Sequence, residues 1–221
     1  MKKLEGIKAI AFDLDSTLVD FVYMKKKTAL AAAKAMIHEG LKTTVQKLYK
    51  QIFTIYGKEN WEYQKTFRDV LLKYYPSLSP NEFEHYQQAA ILAYLEEKPK
   101  SFRVYPNVIP TLRKLKKKYK LALVTDAPRN KAWQRLIMAK LTTFFDPIIT
   151  FTDTNHRKPS PKPFKLLLKE LNLKPHEVLF VGDNPERDIR GAKAVGINVL
   201  LVNNNGVNLQ KIFAILDNKK V

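Results

Sequence analysis

Five short apolar runs separated by helical patterns constrain the fold of this chain more than any other feature. Ile7–Phe12 starts β-branched, is apolar apart from Lys8 and is too brief for a helix, so it reads as a largely buried strand. Similar runs recur at Leu121–Thr125, Ile148–Phe151, Val178–Val181 and Val199–Val202. Between them, Val108–Lys117 places Leu112 and Leu115 on one stripe, and Lys131–Lys140, Phe164–Glu170 and Arg187–Ala194 fill the other gaps. Strand and helix alternate at the spacing of crossover units. That predicts an α/β fold with a Rossmann-like parallel sheet covered on both faces.

Residues 19–100 break the rhythm. They hold helical stretches and no convincing strand: alanine-rich Tyr23–His38, Thr44–Tyr56 with Leu48, Ile52 and Ile55, Glu62–Tyr74 with Phe67, Val70 and Leu71, and Asn81–Leu95 with Asn81 as its cap. Gly40, Gly57, Pro76 and Pro80 mark the joins. The segment reads as a four-helix bundle inserted after the first strand, between core segments 1–18 and 101–221. Its aromatics, among them Trp61, Phe67, Tyr74 and Tyr75, read as core packing.

Composition removes several chemistries. A chain of 221 residues, 45% apolar and 27% charged, can bury a core without disulfides. It has no cysteine, so a thiolate nucleophile and a Cys-ligated zinc site are excluded. His38, His85, His156 and His176 are scattered and show no paired metal spacing. No run approaches the roughly 18 apolar residues of a membrane span. Ile7–Phe12 is too short for a signal-peptide core, so a cytoplasmic location is expected. The formal charge is +18, from 39 Lys plus Arg against 21 Asp plus Glu. Such an excess suggests nucleic acid as a partner. The basic residues are spread among Lys25–Lys27, Lys114–Lys120 and Lys219–Lys220, without regularly interleaved aromatics. A lysine-rich solvated surface, of the kind enriched in thermophiles, is the preferred reading. Its field would also draw anionic metabolites.

The candidate chemistry sits at the strand ends. Asp13-Leu14-Asp15-Ser16-Thr17 follows the first strand directly. Carboxylates buried there need metal, protons or hydrogen-bond donors, and the carboxyl ends of parallel strands are where open α/β sheets bind ligands. Thr125 ends the next strand and could donate to a phosphoryl oxygen, although Thr125-Asp126 is equally a turn pair. Asn130 could cap the following helix. Lys158, in a proline-rich loop, could neutralise a nucleophile and a transferring phosphoryl group, with Lys162 as a solvated neighbour. Gly182-Asp183 follows the fourth strand, where Gly182 permits a tight exit and Asp183 can bind a hard cation. Asp188 could bind metal, orient a metal-bound water, or serve only as a helix N-terminal carboxylate. Magnesium prefers oxygen ligands, and Asp13, Asp183 and the backbone carbonyl of Asp15 could supply them.

In these motifs and their order the chain resembles the haloacid dehalogenase-like hydrolase superfamily, and its helical insertion resembles the cap of subclass I. The resemblance implies a two-step hydrolysis. Asp13 is the nucleophile that forms an aspartyl-phosphate, and Asp15 is the acid and then the base. Thr125, Asp126 and Lys158 bind phosphate, and Asp13, Asp15, Asp183 and Asp188 hold Mg2+. Dehalogenases and phosphonate hydrolases of the superfamily usually lack the second aspartate. Retention of Asp15 therefore points to phosphate esters, despite Lys25, Lys26 and Lys27 at the start of the cap. Lys25 and Lys26 are also candidates for touching an anionic substrate, with a solvated helix face the preferred reading. The stretch Thr125-Asp126…Lys131-Ala132-Trp133 and Arg157-Lys158-Pro159 resemble archaeal phosphatases of small phosphorylated metabolites, glyceraldehyde 3-phosphate and phosphoglycolate among their substrates. A phosphomutase, a 2-haloacid dehalogenase and a nucleic-acid-binding protein that kept the fold are the alternatives.

Overall fold

A computed structural model describes residues 4–203 and 209–216. Lys219 and Lys220, part of the charge count, and the N-terminal Met1–Lys3 lie outside the described residues. In chain order, strand β1 (Ala9–Phe12) is followed by helices α1 (Phe21–His38), α2 (Val45–Lys58), α3 (Thr66–Tyr74) and α4 (Pro80–Ser101). Then come α5 (Val108–Lys116), β2 (Lys120–Val124), α6 (Arg129–Ala139), β3 (Ile148–Ile149), α7 (Phe151–Thr154) and α8 (Pro161–Leu171). The chain closes with β4 (Val178–Gly182), a π-type turn (Pro185–Ile189) running into α9 (Arg190–Lys193), β5 (Asn198–Leu201) and α10 (Lys211–Ile215). The chain divides into two compact units, Met1–Asp20 with Arg103–Val221, and Phe21–Phe102.

The first unit is built on a parallel sheet of order β3-β2-β1-β4-β5. β1 is central and apolar at every position because both of its faces are covered, and all four of its residues are buried. Alternation sends Ala9, Ala11, Ala122, Val124, Val178 and Phe180 to one face, where they meet Phe164, Leu167 and Leu171 of α8. Ile10, Phe12, Leu121 and Leu123 are buried on the other. The strand order reverses beside β1, so the crevice beyond the carboxyl ends of β1, β2 and β4 is the natural ligand position.

Two strands are shorter than their sequences suggest: β1 begins at Ala9 and not at Ile7, and β3 ends at Ile149. Phe151 opens α7 instead of ending β3, because Thr150 caps that helix. The Asp153 carboxylate accepts from the Thr150 N–H at 2.7 Å and from its hydroxyl at 2.6 Å. Asn130 is no cap either. It lies inside α6, whose first turn follows Pro128.

The second unit packs its four helices on each other. Ala29, Ala32, Ala33 and Met36 of α1 join Leu48, Ile52 and Ile55 of α2, Val70 and Leu71 of α3, and Tyr86 and Ala90 of α4. The alanines place α1 close to α4, and each fully buried large side chain contributes roughly 1.5–3 kcal/mol. Phe67 is buried in this cluster and Tyr74 and Tyr75 pack against it, while Trp61 meets the rings of Phe21, Phe53 and Tyr56. Ser79, not Asn81, caps α4: its hydroxyl accepts from the Glu82 N–H at 3.3 Å, and Glu82 accepts from the Ser79 N–H at 2.8 Å. The capping-box spacing Ser79-x-x-Glu82 was there to be read in the sequence. α4 also runs past Leu95, through Pro99, to Ser101.

The lysines that open α1 part company. Lys26 and Lys27 are exposed, as a solvated face requires, but Lys25 is buried. It lies on the same stripe as Phe21, Thr28, Ala29 and Ala32, and its ammonium sits 4.5 Å from the centre of the Tyr56 ring.

Candidate active site

β1 delivers Asp13 to the carboxyl edge of the sheet, where the Asp13 N–H donates to the Val181 carbonyl at 2.9 Å. The next residues cannot continue the strand. Leu18 and Val19 N–H groups both donate back to Leu14 O, and Ser16 takes a left-handed φ of 67°. That turn brings Thr17 back over Asp13. The buried Thr17 hydroxyl lies 3.2 Å from Asp13 Oδ2 and 3.3 Å from Asp183 Oδ1. The turn is pinned where the chain leaves and re-enters the unit, since Asp20 N–H donates to Arg103 O and Tyr105 N–H to Leu18 O.

Lys158 reaches the same point from the loop before α8. Its Nζ lies 2.6 Å from Asp13 Oδ1, 2.7 Å from Asp188 Oδ1 and 3.1 Å from the Val124 carbonyl. The contacts to Asp13 and the Val124 carbonyl are hydrogen bonds, and the contact to Asp188 is an ion pair without hydrogen-bond alignment. The loop is held by Asp126, whose Oδ1 accepts from the Lys158 N–H at 2.9 Å and whose carbonyl accepts from Arg157 at 2.6 Å. Arg157 in turn lies over the Phe151 ring, 4.4 Å from its centre. Lys162 stays at the exposed surface, 2.9 Å from His156 Nε2.

The turn after β4 supplies the remaining acids. Asn184 caps it by accepting from the Glu186 and Arg187 N–H groups, and Asp188 Oδ2 accepts from the Asn184 N–H at 3.0 Å. Gly182 is needed for space and not for a left-handed φ, because a Cβ there would lie 2.6 Å from the Asp188 side chain. Asp188 is therefore pressed against the strand end and is 1% exposed. Thr125 is also buried, with its hydroxyl oxygen accepting from the Ala127 N–H at 3.2 Å.

The electrostatics follow from this crowding. Burial pushes the Asp13 carboxyl well above the ordinary carboxylate range. Lys158 pulls it back, and Asp188 and Asp183 push it up again. Burial and Asp188 likewise raise Asp183 against the opposing pull of Arg187 and Lys158. Burial disfavours the Lys158 cation, but Asp13, Asp188 and Asp126 outweigh it and hold the ammonium charged. One oxygen from each of Asp13, Asp183 and Asp188 lies within 4.8 Å of the others. Three carboxylates thus face one ammonium, and the surplus negative charge and all-oxygen donor set fit a small hard divalent cation.

A family model of haloacid dehalogenase-like hydrolases matches residues 7–196, a span that contains every group just described. The chain belongs to that family. It is 32% identical over 194 residues to a glyceraldehyde 3-phosphate phosphatase of Methanopyrus kandleri, covering 86% of this chain and 82% of that protein. The corresponding protein of Methanocaldococcus jannaschii is 34% identical over 196 residues, with 86% and 82% covered. Among solved structures, a haloacid dehalogenase-like phosphatase from Thermococcus onnurineus superposes with a TM-score of 0.71 at 26% identity, covering 95% of this chain and 99% of that one.

In this hydrolase, Asp13, Lys158, Asp183 and Asp188 converge on one point, with Thr125 at the adjoining strand end. The Asp126 carboxylate accepts from the Lys158 N–H and lies 3.6 Å from Arg187. The Asp15 carboxylate meets Arg135 at 2.7 Å through Oδ2. Sequence reasoning missed Thr17, whose signal was only its place inside the first motif, and Arg135. Arg135 had a stronger signal: it is a charged residue on the apolar stripe Ala132, Leu136 and Ala139 of α6.

No helix among the described residues is long and apolar enough to cross a membrane.

Proposed function

We propose that the protein is a magnesium-dependent phosphatase of a small phosphorylated metabolite, with glyceraldehyde 3-phosphate the favoured substrate, acting through an aspartyl-phosphate on Asp13. The observation that carries this reading is the Lys158 ammonium held between Asp13 and Asp188. A buried lysine in that place favours the ionised form of the carboxylate beside it and presents positive charge to an incoming phosphoryl group. Asp13, Asp183 and the Asp15 carbonyl would hold magnesium, with Asp188 beside them. When bound, magnesium supplies charge that offsets the repulsion between a carboxylate and a phosphate dianion.

Asp13 attacks phosphorus as the bond to the leaving alkoxide breaks, and Asp15 gives that alkoxide its proton. Asp15 then takes a proton from the water that attacks the phosphoryl group, and Asp13 is released. The Thr125 oxygen already accepts a hydrogen bond, which leaves the hydroxyl proton to be donated to a phosphoryl oxygen. Asp126 acts through the Lys158 loop and its own main-chain N–H, since a carboxylate pointed at phosphate would repel it.

The test is an assay of free phosphate release from a panel of phosphorylated metabolites, with magnesium and with a chelator. Magnesium-dependent turnover that Asp13→Asn reduces by about a thousandfold or more, with the thermal transition retained, is the expected outcome. Isomerised product without phosphate release would replace the reading with a mutase.

A further inference from the structure

Arg135 is a buried charge that this mechanism does not use. Its side chain is 3% exposed and projects from the apolar face of α6, among Ala132, Leu136 and Ala139. An uncompensated guanidinium in such a place costs several kcal/mol, and a buried ion pair in general adds little stability over well-packed apolar residues. A leucine would complete the stripe of α6. The arginine therefore calls for another explanation, and its partner suggests one. Arg135 Nη1 lies 2.7 Å from Asp15 Oδ2, while the Asp15 side chain is 21% exposed. Asp15 is thus the partly exposed member of the pair, and its second oxygen, Oδ1, is shielded from bulk solvent.

The backbone at Asp15 is already fixed. Ser16 holds its left-handed φ, and its N–H donates to the Val19 carbonyl at 2.9 Å. What this turn does not fix is the torsion of the Asp15 side chain. Arg135 fixes it, because tying one carboxylate oxygen to a rigid, buried guanidinium sets the direction of the other. A group that must hand a proton to one face of a leaving alkoxide, and later take one from water at the same face, needs that direction held. Displacement by about 1 Å can cost a hundredfold in rate.

We infer that Arg135 is a positioning residue for Asp15. It touches neither phosphate nor nucleophile, and it sets how well the chain can expel poor leaving groups. This inference rests on the acid role proposed for Asp15.

The experiment compares kcat/KM for p-nitrophenyl phosphate, whose leaving group needs no acid, with kcat/KM for a glycerol phosphate, whose alkoxide does. kcat/KM reports only steps up to formation of the phosphoenzyme, so the later water attack does not blur the comparison. Arg135→Met is expected to lower kcat/KM for the alkyl ester by about 30- to 100-fold and for the aryl ester by less than about threefold. For the aryl ester kcat and KM should fall together, because Asp15 also acts in the second step. Adding Arg135→Met to Asp15→Asn should cost nothing further on the alkyl ester. Arg135→Lys, which keeps the charge on a shorter, freely rotating head, should show the same selectivity with a loss of about 3- to 10-fold, and it carries the test if the methionine variant does not fold.

A uniform loss on both esters, or a full additional loss on top of Asp15→Asn, overturns the inference. If Asp15→Asn is selective and neither Arg135 variant is, the inference alone falls. If Asp15→Asn is itself unselective, the acid role falls and takes the inference with it.

Discussion

Among the described residues two lysines are almost fully buried, one in each unit, and different groups pack around them. Lys158 in the sheet unit is 4% exposed and bonded to oxygens: two carboxylates and a carbonyl. Lys25 in the helical unit is also 4% exposed, but rings surround it. Its ammonium lies 4.5 Å from the centre of Tyr56, 5.4 Å from Tyr94 and 5.8 Å from Phe21, and 3.3 Å from the Tyr94 hydroxyl. Ring quadrupoles hold a cation weakly and leave no charge behind when it is removed. Carboxylates hold it strongly and are left repelling one another. What marks Lys158 is the surplus of opposite charge around it, from Asp13, Asp183 and Asp188.

The largest effect that separates the two is on turnover. Lys158→Met should lower phosphate release by about a thousandfold or more, since it removes the only ammonium bonded to Asp13 and Asp188 among the described contacts. Steady-state kinetics on a protein whose cooperative thermal transition survives is the measurement. A loss under about tenfold would place the phosphoryl-stabilising charge elsewhere and dissolve the contrast.

The next effect is on stability. With three carboxylates facing one ammonium, the sheet unit should gain from magnesium. At about 100 times the dissociation constant the gain is about 2.7 kcal/mol, or a rise in Tm of roughly 5–11 °C for a chain of this size. Scanning calorimetry with and without magnesium should show that rise, and Asp183→Asn should lose most of it. An equal rise in both proteins would mean that the cation binds away from Asp183.

The contrast also shows what a sequence can carry. The sheet, its order of elements and the carboxylates Asp13, Asp183 and Asp188 were legible because each carboxylate follows a strand end that its own apolar run announces. Lys158 stood out because prolines at 159, 161 and 163 frame it. Lys25 did not, since it is the first of three consecutive lysines and looks like a solvated face until its position relative to Phe21, Thr28 and Ala32 is weighed. Arg135 was hidden for a related reason. A charge on an apolar stripe is visible in sequence, but its partner lies 120 residues away, and only the fold brings Asp15 beside it. The cap of α4 was simply misplaced, because Asn81 and Ser79 both cap well and the choice turned on Glu82.

The smallest effect is the sharpest test of the ring-lined lysine. Lys25→Met keeps the length of the side chain, removes the charge and needs no desolvation of an ammonium. The substitution forgoes the attraction of the rings and the Tyr94 hydroxyl contact and recovers the desolvation cost of a buried ammonium. The expected outcome is a Tm within roughly 4 °C of the parent chain. Lys25→Ala should cost about 2–5 kcal/mol, because it leaves a cavity against Tyr56 whatever the charge was worth. If methionine proves as damaging as alanine, the ammonium itself holds the helical unit together, and the two lysines are alike in depending on their charge. If methionine is tolerated, Lys25 is apolar packing with a charged tip, and the sheet unit alone carries a lysine whose charge the protein cannot replace.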